Sequence, residues 1–261
     1  MKQAYQASRA LAGITRERTS VEGNQVKFPK IGKGTATVRV PQTDVTPLNV
    51  TYSQVTATMS DYIAAEYSDI FSQQKVNFDE RRELVQVVGA AIGRRMDQLT
   101  IDALSSSGTS LTVATSIGGA GTNMNIEKLI EAKKLLDAGN VPMEGRCMLI
   151  HANTLAGLLG ETQVTSADFA SVKALVQGDI DTFMGFKFVT LGDRDEGGLP
   201  LPSTRTCFAF HRDAVGVGIG MNQKSEINYV PEKTSFLVSS MFSAGAVAID
   251  AEGIVAISCT E

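Results

Sequence analysis

The run from Asp79 to Leu104 constrains this chain more than any other segment. Leu84, Val87, Val88, Ala91, Ile92, Leu99 and Ile101 recur there at helical spacing among charged residues, the pattern of one amphipathic helix. At 1.5 Å per residue it is roughly 39 Å long, more than a compact domain built from 261 residues needs. Asn77 is placed to cap it, with Glu80 three residues on and acids in the first turn to complement the dipole. Gly89 and Gly93 stand four apart, where they either admit a second backbone or merely weaken the helix. Its charges, Glu80, Arg81, Arg82, Arg94, Arg95 and Asp97, read as a solvated or salt-bridged face and not as an anion site.

Ahead of the helix the chain is polar and cationic. Residues 1–23 have weak periodicity, breaks at Gly13 and Gly23, and room for one short helix, so they read as an arm with little core of its own. Up to Val40 eight cations face only Glu17 and Glu22, a net charge of +6 in a chain whose total is −4, so the remainder carries −10. That split fits a solvated basic tail as well as an arm lying on the acidic body of a neighbouring subunit. An arm of the second kind predicts that a chain lacking residues 1–18 still folds but associates poorly with its neighbours.

Residues 24–59 follow as a long ribbon. Gln25 to Phe28 and Thr35 to Val40 are β-prone but interrupted by Pro29, Gly32 and Gly34, which suits an edge-like strand, and Pro41 to Pro47 is its tip. Asn49 to Met59 returns, with Val50 and Tyr52 on one phase and Val55, Ala57 and Met59 on the other, so a bulge or a change of face is expected at Gln54. A hairpin this rich in Thr, Ser and Gln cannot bury both faces within a monomer, and a partner subunit is its natural cover.

Beyond the helix, Ser105 to Gly121 is a Ser, Gly and Thr loop that divides two lobes. A second helix, Ile126 to Ala138, starts at Asn125 and stops at Gly139-Asn140 with Pro142 beyond. Arg146 to Ile150 reads as a buried strand, Asn153 to Leu159 as a short helix closed by Gly160, and Asp168 to Gln177 as another closed by Gly178. Phe186 to Leu191, Cys207 to His211, Ala214 to Ile219, Glu226 to Val230, Phe236 to Ile249 and Ile254 to Ser258 read as strands, with an exposed loop at Gly192 to Ser203 and a turn at Asp250 to Gly253 joining the last two as a hairpin. This order lacks the βαβ alternation of a doubly wound sheet, so the class is α+β.

Few residues invite chemistry. Cys147 to His151 and Cys207 to His211 repeat the spacing Cys-x-x-x-His, but residues four apart on a strand are roughly 13 Å apart, too far for one metal whose ligands lie about 2 Å away. Small buried thiols and polar strand-end histidines are the plainer reading. Gly218 to Ser225 resembles a phosphate loop only in its leading glycine and Lys224-Ser225, and it precedes a strand where a helix is required. No serine stands in a nucleophile elbow. The net charge of −4 argues against a dedicated nucleic-acid binder. Three cysteines and no secretory signal suit a reducing compartment, and no apolar run approaches a membrane span, so a soluble chain made in the cytoplasm is expected.

The series of elements, with the texture of Val21 to Arg39, Asn77 to Leu104, Asn140 to Leu159, Gly178 to Leu191 and Gly245 to Ile257, resembles the major capsid proteins of tailed bacteriophages, the HK-ninety-seven-type fold. The resemblance spans nearly the whole chain and rests on no catalytic signature. It implies an N-terminal arm at 1–23, an extended loop at 24–59 lying over an adjacent subunit, a peripheral domain at 60–122 with its spine helix at 79–104, an axial domain at 123–223, and C-terminal strands at 224–261 returning to the peripheral domain.

It also implies self-assembly into homo-pentamers and homo-hexamers of an icosahedral head, assembled in the host bacterial cytoplasm. Arg9, Arg16, Arg18, Lys27, Lys30, Lys33 and Arg39 are then the expected inter-subunit contacts. No cofactor, metal or membrane is implied. Double-stranded DNA is enclosed without sequence-specific binding, and a portal and a separate scaffolding protein are the further partners, a precursor already trimmed being the alternative to the scaffold. Some relatives crosslink a loop lysine to a neighbour's asparagine; Lys27, Lys30 and Lys33 lie in that region, but no acceptor or catalytic acid is assignable and no crosslink is expected. An encapsulin-type compartment shares this fold, and an α+β small-molecule enzyme is the rival of another class.

Overall fold

The computed structural model describes residues 6–76, 79–160 and 182–261. Two sheets organise them. The first has the strand order β1-β10-β11-β4, where β1 is Arg16–Thr19, β4 Ser60–Asp69, β10 Val215–Val230 and β11 Ser235–Ala248. Only β1 runs parallel to its neighbour. The short helix α1 (Ile70–Lys75) leads from β4 to the long helix α2 (Glu80–Ser105), which lies on one face of this sheet. Ile92, Phe242 and Ala244 are buried between them with Tyr62, Ala64, Met96 and Leu99, and the Tyr62 and Phe242 rings stack at 5.1 Å.

The second sheet has the order β5-β12-β9-β6-β8-β7. Its strands are β5 (Thr112–Val113), β6 (Arg146–His151), β7 (Thr182–Phe183), β8 (Phe186–Leu191), β9 (Arg205–His211) and β12 (Ile254–Cys259). All six residues of β6 are buried. Helices α3 (Ile126–Ala138) and α4 (Ala152–Leu159) belong to this lobe, and Leu129, Ala132, Leu136 and Leu158 join the strands in the main core. The C-terminal end of α2 enters the same core through Ile101, Ala103 and Leu104, so the long helix bridges both lobes.

The helix signals read from the sequence are met with small shifts. Asn125 caps α3 by accepting from Lys128 N at 2.8 Å, and the chain leaves α3 through Gly139 and Asn140, the latter at φ 56°. The cap of α2 is Asp79, which accepts from Arg82 N; Asn77 lies outside the described residues, as does the expected helix at Asp168 to Gln177.

Other expectations are corrected. The ribbon pairs as β2 (Gln25–Ile31) and β3 (Tyr52–Thr58) in unbroken register from Gln25↔Thr58 to Ile31↔Tyr52, with no bulge at Gln54. The change of phase marks only where the hairpin leaves the body and both faces become exposed. Thr35 to Val40 has no partner strand and is not one itself. Val215 to Val230 is one strand, so a domain boundary at 223/224 would fall inside it.

The last two strands do not form a hairpin: β11 pairs with β10 and β4, whereas β12 pairs with β9 and β5. The 3₁₀ turn Ala251–Gly253 passes the chain from one sheet to the other, and Arg212–Ala214 does the same between β9 and β10. These crossovers lie side by side, with Ile249 N donating to Ala214 O at 2.8 Å. A Cβ on Gly253 would stand 2.8 Å from that of Ala214, so glycine is what lets the two turns touch.

Candidate assembly surfaces

The arm is not loose. Its residues 6–23 hold no helix, residues 1–5 of the stretch where one was expected lying outside those described, and Leu11 and Ile14 are buried in the main core just before β1. The polar stretch had concealed two apolar anchors, so removing residues 1–18 would take Leu11 and Ile14 out of the core and cost the subunit stability. Asp97, expected on a solvated face, is fully buried. Its carboxylate accepts from Ala10 N at 2.8 Å, Leu11 N at 3.0 Å and Arg194 Nη1 at 3.0 Å. Three elements therefore meet at one carboxylate: the arm, α2 and the 192–203 loop.

Two glycines make room for that meeting. A Cβ on Gly93 would come within 2.9 Å of Arg9 N, so this glycine does admit a second backbone. Gly197, at φ 76°, brings the loop to within 2.8 Å of Arg94 O, measured from where its Cβ would be. The loop is accordingly not exposed throughout, and Leu199 is buried in the main core.

The basic residues expected to reach neighbours are distributed unevenly. Arg9 pairs with Glu17 at 2.6 Å, Lys30 with Asp250 at 2.8 Å and Lys33 with Glu252 at 2.7 Å, all within the chain. Arg18 Nη1 donates to Lys27 O at 2.8 Å. Arg16, Lys27 and Arg39 are exposed, the last far out on the hairpin.

That hairpin carries several exposed apolar side chains. Val38 and Val45 are 94% and 91% exposed, and Ile31, Val40, Leu48 and Tyr52 are also exposed. Its base, in contrast, is well seated. Val26, Phe28, Ala57 and Met59 are buried with Ile249, and a Cβ on Gly216 would lie 2.7 Å from the Phe28 ring. A second apolar surface lies on the sheet face away from α2, where Ile63 and Tyr67 of the edge strand β4 are exposed beside their register partners Met241 and Leu237. Contiguous apolar exposure with an unpaired strand edge marks a surface that another chain covers.

Nothing comparable gathers around a reactive group. Cys147 and His151 lie on β6, Cys207 and His211 on β9; both histidines accept a backbone N–H at a strand end, and the His151 ring also lies 2.9 Å from Glu261 Oε1 and 3.1 Å from Asp193 Oδ1. His151 Nδ1 accepts from Asn153 N at 3.3 Å to cap α4, and His211 Nδ1 accepts from Asp213 N at 3.2 Å while its Nε2 lies 2.8 Å from Glu144 O. The three cysteines are buried thiols. Among the described residues no group of three or more His, Cys, Asp or Glu side chains could hold a metal ion, and no helix is long and apolar enough to cross a membrane.

Buried polar residues instead fasten the lobe. Arg205, itself buried, donates to both oxygens of Glu261 at 3.0 Å, to Asp193 Oδ1 at 3.3 Å and to Leu199 O at 3.1 Å. These bonds hold the Glu261 carboxyl below the usual carboxylate range. A carboxyl depressed on folding stabilises the subunit fully above its unfolded value of about 4.3, and that contribution disappears as pH falls through the lower folded value. Glu261→Gln is expected to lower stability by about 1–2 kcal/mol at neutral pH. The gap between the two proteins' denaturation midpoints should close in acid, and a gap that persisted there would remove the carboxylate from the account.

Comparison with known proteins gives one family and many solved structures of the same fold. The family described as phage capsid protein matches residues 1–261. No curated protein sequence matches the chain. Among solved structures, the capsid of cyanophage P-SCSP1u superposes with a TM-score of 0.78 at 15% identity over 100% of this chain and 91% of that one. The head structure of Helicobacter pylori bacteriophage KHP40 gives 0.79 at 10% identity over 99% and 94%. Mycobacterium phage Che8 gives 0.75 at 17% identity over 98% and 93%. At such identities the likeness is one of fold.

Proposed function

This chain belongs to the phage capsid protein family, and from that premise we propose how its surfaces build a head. It is a major capsid protein of the HK-ninety-seven-like fold, a structural component of the virion and not an enzyme. Copies of it assemble into the capsid shell.

The finer organisation is our reading. The four-stranded sheet with α2 is the peripheral domain, and the six-stranded sheet with α3 and α4 is the axial domain, at the centre of pentamers and hexamers. The chain passes between them three times, along α2 and at the two 3₁₀ crossovers. The hairpin beyond Ile31 lies over an adjacent copy, with Val38, Val40, Val45 and Leu48 as its contact side chains and Arg39 as its charged one. Arg16 and Lys27 remain inter-subunit candidates on exposed strands. Arg9, Arg18, Lys30 and Lys33 act first within their own subunit, where their partners are found.

Assembly takes place in the host cytoplasm, with a separate scaffolding protein and a portal, around double-stranded DNA that the mildly acidic body does not bind specifically. The observation that carries this reading is the projecting hairpin, whose apolar side chains stand more than half exposed, Val38 and Val45 almost wholly so.

Electron microscopy and sedimentation of the purified protein, alone and with its neighbouring gene products, test it. Rings of five and six subunits or uniform closed shells are the expected result, with DNA inside particles from infected cells. A protein that stays monomeric or dimeric under all these conditions contradicts the reading, and shells filled with a cargo enzyme would turn it towards an encapsulin-type compartment.

A further inference from the structure

The hairpin leaves the body at one place, and what happens there has a mechanical consequence. Up to Phe28 and Ala57 the ribbon is held by packing. Beyond Ile31 and Tyr52 its described hydrogen bonds, that of Lys33 apart, are its own, Gly32 N to Thr51 O at 2.8 Å and Thr43 Oγ1 to Val40 O at 2.8 Å. Among the described residues, the one ion pair made by residues 32–51 is Lys33 Nζ to Glu252 Oε2 at 2.7 Å. Three residues earlier, Lys30 Nζ meets Asp250 Oδ1 at 2.8 Å.

Both acids stand on the same short stretch, the crossover that carries the chain from β11 to β12. One contact would fix a point on the ribbon, whereas two contacts about 10 Å apart along a strand fix a direction. The crossover is itself stitched to its companion through Ile249 N and Ala214 O and through the close approach of Gly253. It therefore moves when one sheet turns relative to the other.

We propose that Lys30–Asp250 and Lys33–Glu252 form an electrostatic latch that sets the direction of the hairpin and couples it to the angle between the two lobes. Neither pair is buried, since Lys30 and Asp250 are 38% and 36% exposed and Lys33 and Glu252 are 80% and 60% exposed. The latch is accordingly weak and releasable: the screening length falls from about 30 Å at 0.01 M salt to about 3 Å at 1 M. Glu252 raises the Lys33 pKa, mainly through their hydrogen bond, which keeps the ammonium charged in the bound arrangement. A subunit with its latch closed presents the hairpin in one direction. With the latch open the ribbon is free to follow whatever surface it meets.

The latch is a property of the single subunit, so its test needs no shell and stands apart from the assembly reading. Thr43→Cys near the hairpin tip and Gln86→Cys on α2 are spin-labelled in the full chain, the native thiols being buried. Label-to-label distances are measured on the monomeric fraction. A narrow distribution in 0.01 M salt that broadens in about 1 M salt is expected. Lys30→Glu with Lys33→Glu should be broad at both, and adding Asp250→Lys with Glu252→Lys should restore the narrow distribution at low salt. Restoration by reversed charge is an outcome that loss of packing could not give. A distribution indifferent to salt, already broad at low salt, or not restored by the fourfold reversal overturns the proposal.

Discussion

Asp97→Ala is expected to destabilise the subunit by about 3–5 kcal/mol, the range for removing one partner of a buried ion pair. The carboxylate is fully buried and neutralises the Arg194 guanidinium, whose side chain is only 9% exposed. Without it that charge stays in the core unpaired, and the amides of Ala10 and Leu11 lose their acceptor. The arm then has less to hold Leu11 and Ile14 in place, so its release exposes apolar surface as well.

Two comparisons separate these effects. Asp97→Asn keeps an acceptor for one or both amides but does not neutralise Arg194, and should fall between wild type and Asp97→Ala. Arg194→Met leaves the carboxylate with its two amide bonds and should cost less than Asp97→Ala. Urea denaturation gives the stabilities, and limited trypsin digestion at Arg9, Arg16 and Arg18 reports whether the arm has come away. A loss below about 0.5 kcal/mol for Asp97→Ala, the scale of an ordinary surface change, would mean that this junction does not hold the arm.

That junction also shows where sequence reading stops. The long helix, its neighbour α3 and the buried strand β6 were legible because periodicity, caps and unbroken apolar runs are local signals. Asp97 was taken for a surface charge because its neighbours Arg94 and Arg95 are charged. A signal was present nevertheless: Asp97 lies four residues before Ile101 and seven before Leu104, on the apolar stripe. A carboxylate on that stripe must be partnered by something distant, and its partners lie 86 to 97 residues away.

Lys128 is a similar case. It lies within the first turn of α3, fully buried, and donates to Thr122 O at 2.7 Å and Ser258 O at 3.0 Å, while burial lowers its pKa. Strand pairing was hidden for the same reason. Two strands joined by a tight turn usually pair with each other, and nothing local marks Ala251 to Gly253 as a crossover between sheets. Only the contact of Gly253 with Ala214, 39 residues earlier, distinguishes it. Position on the hairpin, by contrast, was legible from composition, since its Thr, Ser and Gln gave no second face to bury. Within it attention fell on the charges and not on the valines: Lys30 and Lys33 were expected to reach neighbours but pair within the chain, with Asp250 and Glu252.

The valines lead to the second large effect, on assembly and not on folding. Replacing residues 34–49 by an Asn-Gly turn is expected to leave the subunit about as stable as wild type, within about 0.5 kcal/mol, while abolishing closed shells. The residues that seat the hairpin, Val26, Phe28, Ala57 and Met59, all lie outside the deleted stretch, as does Lys33. The deleted part holds Val38, Val40, Val45 and Leu48, which are exposed in the subunit and so contribute little burial to its fold. Removing them takes little from the monomer and takes the apolar half of each contact from the assembly, where many copies of one weak interface must close together. A gentler pair, Val38→Asp and Val45→Asp, keeps the loop at full length and places charge where a neighbouring surface would have to desolvate it. Sedimentation and electron microscopy should show capsomers or monomers in place of shells for the deletion, and fewer shells for each aspartate variant, with unchanged denaturation midpoints throughout. Normal shells from the deletion would move the inter-subunit contact to the exposed face of β4, where Ile63 and Tyr67 would be the next side chains to change.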